Sequence, residues 1–295
     1  MSATFQGSFV ALVTPFRDGR VDEAKLRELV EFHVANGTDG LVPCGTTGES
    51  PTLSHDEHHR VVEVVVEAAR GRVPVVAGTG SYATAAAVDL SRHAERAGAS
   101  AVLVVSPYYN KPTQEGLYRH FRAVAEAIAI PVIVYNIQSR TAVNVETATL
   151  ARLARDCRNV AGVKEASGNL DQMTQVVAAC GPDFSVLSGD DSLTLPLMGV
   201  GGHGVISVIA NIVPRETADL THAALDGDFK RARDLHHRLF PLARAAFLET
   251  NPIPIKEAMA MAGMLAPEFR LPMCRMSDAN RETLRAVLAT YGLVK

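Results

Sequence analysis

The sequence predicts an α/β protein, a (β/α)8 barrel of the TIM type over residues 1–225 with a C-terminal helical region, 226–295, packed on the barrel. Three observations lead there. Short runs rich in β-branched residues recur eight times. They are apolar on both faces, as parallel strands covered on both sides must be. The segments between them carry apolar residues at helical spacing.

The strand-like runs are 8–13, 40–44, 73–77, 101–105, 131–135, 160–164, 184–187 and 204–208, and the helical patterns include 22–36, 54–70, 83–97 and 114–129. Ser54 followed by Glu57 forms a capping box, which starts the second helix there. Beyond residue 210 strands stop and helices are expected at 214–226, 228–249, 255–263 and 277–291. One completes the eighth unit, and the rest form an appendage suited to assembly. A doubly wound open sheet is the alternative, but it rarely needs eight similar units and carries a nucleotide fingerprint after its first strand. A literal GxGxxG does occur at Gly199, Gly201 and Gly204, yet it precedes a strand instead of joining a strand to a helix, which is the wrong context for a nucleotide.

The totals narrow the function. A chain of 295 residues with 47% hydrophobic side chains buries a large core, and a formal charge of -3 with scattered basic residues offers nucleic acid no footprint. No apolar run approaches bilayer-spanning length and the amino terminus lacks signal-peptide character, so no membrane association and a cytoplasmic location are expected. Cys44, Cys157, Cys180 and Cys274 are widely spaced; they read as reduced and mostly buried, with no disulfide or zinc framework.

The chemistry centres on Lys164, in the run Val160-Ala-Gly-Val-Lys-Glu-Ala-Ser-Gly168. Desolvation disfavours an ammonium, so an amine placed there is available to attack a carbonyl and form a Schiff base. Alternatively the stem packs and the charge reaches water. The chain has only six lysines, and Lys25, Lys111, Lys230, Lys256 and Lys295 stand in polar or helical contexts. Catalytic groups of a β/α barrel lie at the carboxyl ends of its strands. Thr14, Thr46, Thr47, Tyr108, Tyr109, Tyr135 and Lys164 all fall at such ends, so hydroxyls and one amine are expected at one mouth.

The loop Gly45-Thr-Thr-Gly-Glu-Ser50 suits a carboxylate, because its glycines let backbone N–H groups approach closely; it equally makes a plain turn. Ser188-Gly-Asp-Asp191 shares that ambiguity, its acids serving also as helix caps. Tyr135 offers a proton donor and acceptor or simple packing. Arg140 offers a bidentate fork for a carboxylate or a surface salt bridge. The rival is a metal cluster of His55, His58 and Asp56 in Ser54-His-Asp-Glu-His-His59. Catalytic zinc wants three convergent ligands and one helix face offers two, so no metal is expected.

Taken in order, these residues resemble the dihydrodipicolinate synthase / N-acetylneuraminate lyase family almost end to end. The resemblance is carried by Val-Thr-Pro-Phe16, Gly-Thr-Thr-Gly-Glu-Ser50, Ala-Gly-Thr-Gly80, Ser-Pro-Tyr-Tyr-Asn-Lys-Pro112, Gln-Glu-Gly-Leu-Tyr118, Tyr-Asn-Ile-Gln-Ser-Arg-Thr141, Gly-Val-Lys-Glu-Ala-Ser-Gly-Asn169, Leu-Ser-Gly-Asp-Asp191, Gly-Gly-His-Gly-Val-Ile-Ser207, Asn-Pro-Ile-Pro-Ile-Lys256 and Arg-Leu-Pro-Met273.

The resemblance implies that Lys164 condenses with pyruvate and that the enamine adds to aspartate 4-semialdehyde in lysine biosynthesis, with no cofactor. It makes Tyr135, Thr46 and Tyr109 a proton relay, Tyr109 reaching into the neighbouring subunit of a tight dimer within a homotetramer. Thr47 corresponds to the position that holds the pyruvate carboxylate, Arg140 to the one that receives the aldehyde substrate's carboxylate, and Gly189 and Ile206 to the walls of the pyruvate pocket. Sugar-acid lyases of the family share the lysine and tyrosine but generally lack the arginine, so Arg140 favours the synthase over another pyruvate-dependent aldolase. A silent keto-acid sensor would lack the lysine or tyrosine.

Two departures stand out. Gln138 replaces a proline usual between tyrosine and arginine, a change that would shift the loop carrying Arg140. In lysine-inhibited members an allosteric pocket corresponds to Ser50, Pro51, His55, His58, Tyr82, Ala86 and Tyr108; Ala86 replaces a glutamate that holds the effector's ammonium, so lysine should bind weakly or not at all.

Overall fold

The computed structural model describes residues 5–294, so Lys295 lies outside the described residues. Eight parallel strands form the sheet: β1 (Gly7–Ala11), β2 (Gly40–Val42), β3 (Val76–Gly78), β4 (Ala101–Val105), β5 (Val132–Asn136), β6 (Val160–Glu165), β7 (Ser185–Ser188) and β8 (Gly204–Ser207). Their spatial order is β2-β1-β8-β7-β6-β5-β4-β3, and a parallel bridge from Leu41 to Val75 joins the two ends into a barrel. Each strand falls where its apolar run is.

The helices are α1 (Glu23–Ala35), α2 (His55–Ala69), α3 (Thr84–Arg96), α4 (Gln114–Ala127), α5 (Gln138–Thr141), α6 (Thr147–Asp156), α7 (Leu170–Cys180), α8 (Thr194–Gly199), α9 (Pro214–Leu225), α10 (Phe229–Ala245), α11 (Ile253–Met261) and α12 (Asp278–Thr290). The Ser54–Glu57 capping box opens α2, both of its hydrogen bonds being present. A short hairpin, Phe16–Arg17 with Arg20–Val21, follows β1. The sequence gives it little signal, because two-residue strands carry no periodicity. No helix among the described residues is long and apolar enough to cross a membrane.

The two-sided apolarity of the strands has two destinations. Phe9, Val42, Leu103, Ile133, Leu187 and Ile206 fill the barrel interior. Val10, Leu41, Val102, Val134, Val163 and Val186 face outward onto Leu26, Val61, Val65, Leu117, Phe121 and Met173 of the surrounding helices. Burying a side chain of this size contributes roughly 1.5–3 kcal/mol, so this double layer dominates the stability. The outer layer continues without a break into Leu242, Met259, Leu284 and Leu288 of α10, α11 and α12. α9 packs back on β1 and completes the eighth unit.

One irregularity decides which way Lys164 faces. β5 and β6 pair with a register shift: Val132 faces Val160, but Ile133 faces Gly162, leaving Ala161 as an extra residue. Val160 faces the outer layer. With strict alternation, even-numbered residues of β6 would all face outward, Lys164 among them. The bulge reverses the parity, so Val163 faces outward and Lys164 turns inward as the partner of Tyr135. Re-aiming a side chain beside a site is a recurring use of β-bulges. Gly162 permits the close strand approach, since a Cβ there would meet the Ser185 carbonyl oxygen at 2.5 Å.

Two expectations about burial need correction. Cys44 and Cys157 are buried, but Cys180 is partly accessible and Cys274 is exposed, all four being free thiols. Cys274 lies in an irregular segment between α11 and α12, where no face is covered. Lys164 is also not alone as a buried lysine: Lys256 is fully enclosed.

Candidate active site

Lys164 is 5% exposed, and its Nζ lies 4.3 Å from the centre of the Tyr135 ring. An ammonium over an aromatic face is favourable, and a carbonyl carbon held by that nitrogen would lie beside the Tyr135 ring. Gly189, just after β7, keeps space open above the amine: a Cβ there would lie 3.2 Å from Lys164 Cε and 2.5 Å from Ala166 Cβ. Ile206 on β8 is fully buried and forms part of the apolar floor. Asp190 borders the same space. Burial pushes its carboxyl pKa up, and the Lys164 charge draws it back down.

The second wall is the 45–50 loop. Thr14 Oγ1 donates to the Gly48 carbonyl at 2.7 Å, and a Cβ at Gly48 would come within 3.1 Å of Leu12 O and Cys44 N. Glu49 takes a left-handed conformation with φ 51°. Its carboxylate is buried against Lys256 Nζ and also accepts from the Arg270 backbone N–H. Thr47 is buried, and its Oγ1 accepts from Asn251 Nδ2 at 3.0 Å. The Asn251 carbonyl in turn accepts from Arg140 Nη2 at 3.0 Å. One residue from the C-terminal region thus fixes both the candidate carboxylate-binding positions.

Arg140 sits in α5, which Gln138 opens, and lines one cleft with Tyr135 and Thr46. That cleft extends past Ser50, Pro51, His55, His58, Tyr82, Ala86 and Tyr108, so all seven positions of the expected allosteric pocket border it. Tyr82 and Tyr108 meet edge to face at 5.5 Å. His58 is buried with Nε2 2.8 Å from the Gly78 carbonyl, and burial holds its pKa down at about 4.

Not every hydroxyl reaches the mouth. Thr14 is buried and spends its hydroxyl on the loop backbone. Tyr109 is 94% exposed with φ 74°, so it is not enclosed at the mouth of its own chain. The pairing of His55 with His58 and Asp56 also fails. His58 points to Gly78, and the residue beside His55 is His59, one helical turn on.

Sequence reasoning assigned no role to Asn251 or Lys256, and it read Asp191 only as part of an anion-binding turn or a helix cap. Asp191 accepts from Ser207 Oγ and from the Val208 and Ile209 N–H groups, tying the ends of β7 and β8 together. Asn251 and Lys256 stood within a recognised run, but their partners are 204 and 207 positions away, a separation no local pattern records.

The chain matches the sequence model of the Dihydrodipicolinate synthetase family over residues 4–291. It is 55% identical over 290 residues to the 4-hydroxy-tetrahydrodipicolinate synthase of Syntrophus aciditrophicus, covering 98% of this chain and 99% of that one. The crystal structure of dihydrodipicolinate synthase from Aquifex aeolicus superimposes with a TM-score of 0.97 at 54% identity, covering 98% of this chain and 99% of that one. A pyruvate complex of the chloride-inhibited synthase from Acinetobacter baumannii superimposes with a TM-score of 0.96 at 41% identity, covering 99% of this chain and all of that one. A lysine amine buried at a barrel mouth beside a tyrosine accords with those relationships, and the chain belongs to the dihydrodipicolinate synthetase family.

Proposed function

We propose that this chain condenses pyruvate with L-aspartate 4-semialdehyde to give 4-hydroxy-tetrahydrodipicolinate and water, the step its curated relatives are named for. The observation that carries the reading is the Lys164 amine, enclosed at 5% exposure against the ring of Tyr135, which itself lines a cleft with Arg140.

The Lys164 amine adds to the pyruvate keto carbon and water leaves, forming an imine. Loss of a methyl proton gives the enamine, whose carbon attacks the aldehyde; the aldehyde oxygen takes up a proton. The substrate's own amine then displaces Lys164 from the imine carbon, closing the ring and freeing the enzyme. The imine is itself the electron sink, so the route calls for no cofactor. Tyr135 and Thr46 move protons at the reacting carbon, and Tyr109, exposed on its own chain, serves a neighbouring subunit of a dimer of dimers. Thr47 receives the pyruvate carboxylate, Gly189 and Ile206 shape its pocket, and Arg140 takes the aldehyde's carboxylate as a bidentate pair. The same proposal places the enzyme in the cytoplasm and treats 226–295 as a helical region appended to the barrel.

Regulation follows from the cleft. Ser50, His55, His58, Tyr82 and Tyr108 remain available to an amino-acid effector, but Ala86 supplies no carboxylate for an ammonium. Lysine therefore binds weakly or not at all, and a calorimetric titration giving micromolar lysine affinity overturns that point.

The test is intact mass after borohydride trapping with pyruvate, then turnover with aspartate semialdehyde and with sugar acids. The expected result is a pyruvate adduct absent from Lys164→Ala, and turnover of the semialdehyde. Turnover of sugar acids alone would reassign the second substrate, and the lack of an adduct would remove the Schiff base.

A further inference from the structure

His55 and His59 lie four residues apart on α2, so they share one face of the helix. Across the groove, α3 presents Asp89. Each of the three offers a ligand atom, and those atoms all lie within 4.8 Å of one another. The third donor that α2 alone lacks comes from the next helix. We propose that His55, His59 and Asp89 form a divalent transition-metal site, fitted to Zn2+, that staples α2 to α3 beside the cleft.

The chemistry of the donors selects the metal. Two imidazoles and one carboxylate suit zinc and its first-row neighbours, whereas magnesium and calcium want oxygen shells. Zinc takes nitrogen and carboxylate oxygen at about 2.0–2.2 Å in a tetrahedron, leaving a fourth position for water. Drawing the donors in from 4.8 Å needs only side-chain rotation, because His55 and Asp89 are exposed.

His59 is the fixed member. Its ring stacks on His93 at 3.7 Å with an interplanar angle of 15°, and meets the His55 ring edge-on at 5.8 Å. Glu63 Oε1 lies 3.4 Å from His93 Nε2 without forming a hydrogen bond to it. Within this packing His59 Nε2 is enclosed and has no hydrogen-bond partner. Leaving a buried ring nitrogen without a partner costs free energy, and a metal ion held with the His55 and Asp89 donors would satisfy it. A preorganised histidine flanked by two mobile donors lowers the ordering cost of binding.

The location gives the site a consequence. His55 also lines the cleft that runs to Tyr135 and Arg140. When it ligates metal, its ring is held at the α2–α3 groove and is withdrawn from any ligand in the cleft.

The experiment is calorimetric titration of the EDTA-stripped full chain with ZnCl2, comparing wild type with His59→Asn and Asp89→Asn. The expected result is one Zn2+ per chain, with affinity at least roughly tenfold weaker in each variant. A tetrahedral Co2+ absorption band should appear in wild type alone. Both variants should keep circular dichroism and turnover, since neither residue touches the active site. Absent zinc binding, or affinity that either variant leaves within tenfold of wild type, overturns the proposal and marks the cluster as adventitious.

Discussion

Tyr135 and Lys164 face each other across a β-ladder only because β6 carries one residue more than β5 before them. The extra residue, Ala161, turns the lysine from the helix-facing side of the sheet to the barrel interior. Gly162 makes the bulge tolerable, a Cβ there meeting Ser185 O at 2.5 Å and Ser185 Cβ at 3.0 Å.

Gly162→Ala should therefore push β6 away from β7. Overpacking of this kind costs about 1–3 kcal/mol, and it displaces Lys164 as well. The expected outcome is a fall in denaturation midpoint together with at least a roughly tenfold slower pyruvate trapping. A variant that loses stability while trapping at the wild-type rate would show that the bulge does not aim the lysine.

Asn251 links the two candidate carboxylate positions through one side-chain and one backbone hydrogen bond, each 3.0 Å. Asn251→Ala removes the anchor of Thr47 and leaves its own backbone carbonyl for Arg140. Misplacing a binding group by about 1 Å can cost on the order of 100-fold. We expect kcat/KM for pyruvate to fall roughly 10- to 100-fold, with a smaller effect on the semialdehyde. Equal losses for both substrates in steady-state kinetics would refute the assignment of Thr47 to pyruvate.

Lys256 and Glu49 form an ion pair whose side chains are both fully buried, with the ammonium 4.4 Å from the Phe16 ring centre and 5.1 Å from that of Phe269. Burial pulls the lysine pKa down and the Glu49 carboxylate pulls it up. Lys256→Met strands a buried carboxylate, a loss of about 3–5 kcal/mol, whereas Lys256→Met with Glu49→Gln should recover much of it. Urea denaturation of the single and double variants measures this. A double variant no more stable than the single would mean that the pair acts through geometry and not through charge compensation.

Acid should destabilise the fold through three enclosed histidines. Burial lowers the pKa of His33 to about 3 and of His58 and His120 to about 4, from an ordinary 6.5. Between those values the unfolded chain binds the extra protons, so their contribution is complete above pH 6.5 and declines as pH falls toward 4. Each histidine adds up to about 1.4 kcal/mol per pH unit of slope within that window. Unfolding free energies at pH 7, 6 and 5 should be shallower in pH for His120→Gln by about one proton. An unchanged slope would place His120 in contact with water.

The sequence by itself determined the barrel, the order of its units, the strand ends proposed to carry chemistry and the candidacy of Lys164. Those features are written in periods of two and 3.6 residues and in short turns, which any local stretch displays. Even there, a strand run does not reveal its neighbour's register, so only pairing of β5 with β6 decided that Lys164 faces inward. Closure of the barrel and packing of α11 against it brought Asn251 to Thr47 and Lys256 to Glu49. The same closure committed Thr14 to the loop, left Tyr109 exposed on its own chain, and set Asp89 opposite His55 and His59. Each of these depends on contacts between distant segments, whose geometry is settled by the whole core and not by the residues nearby.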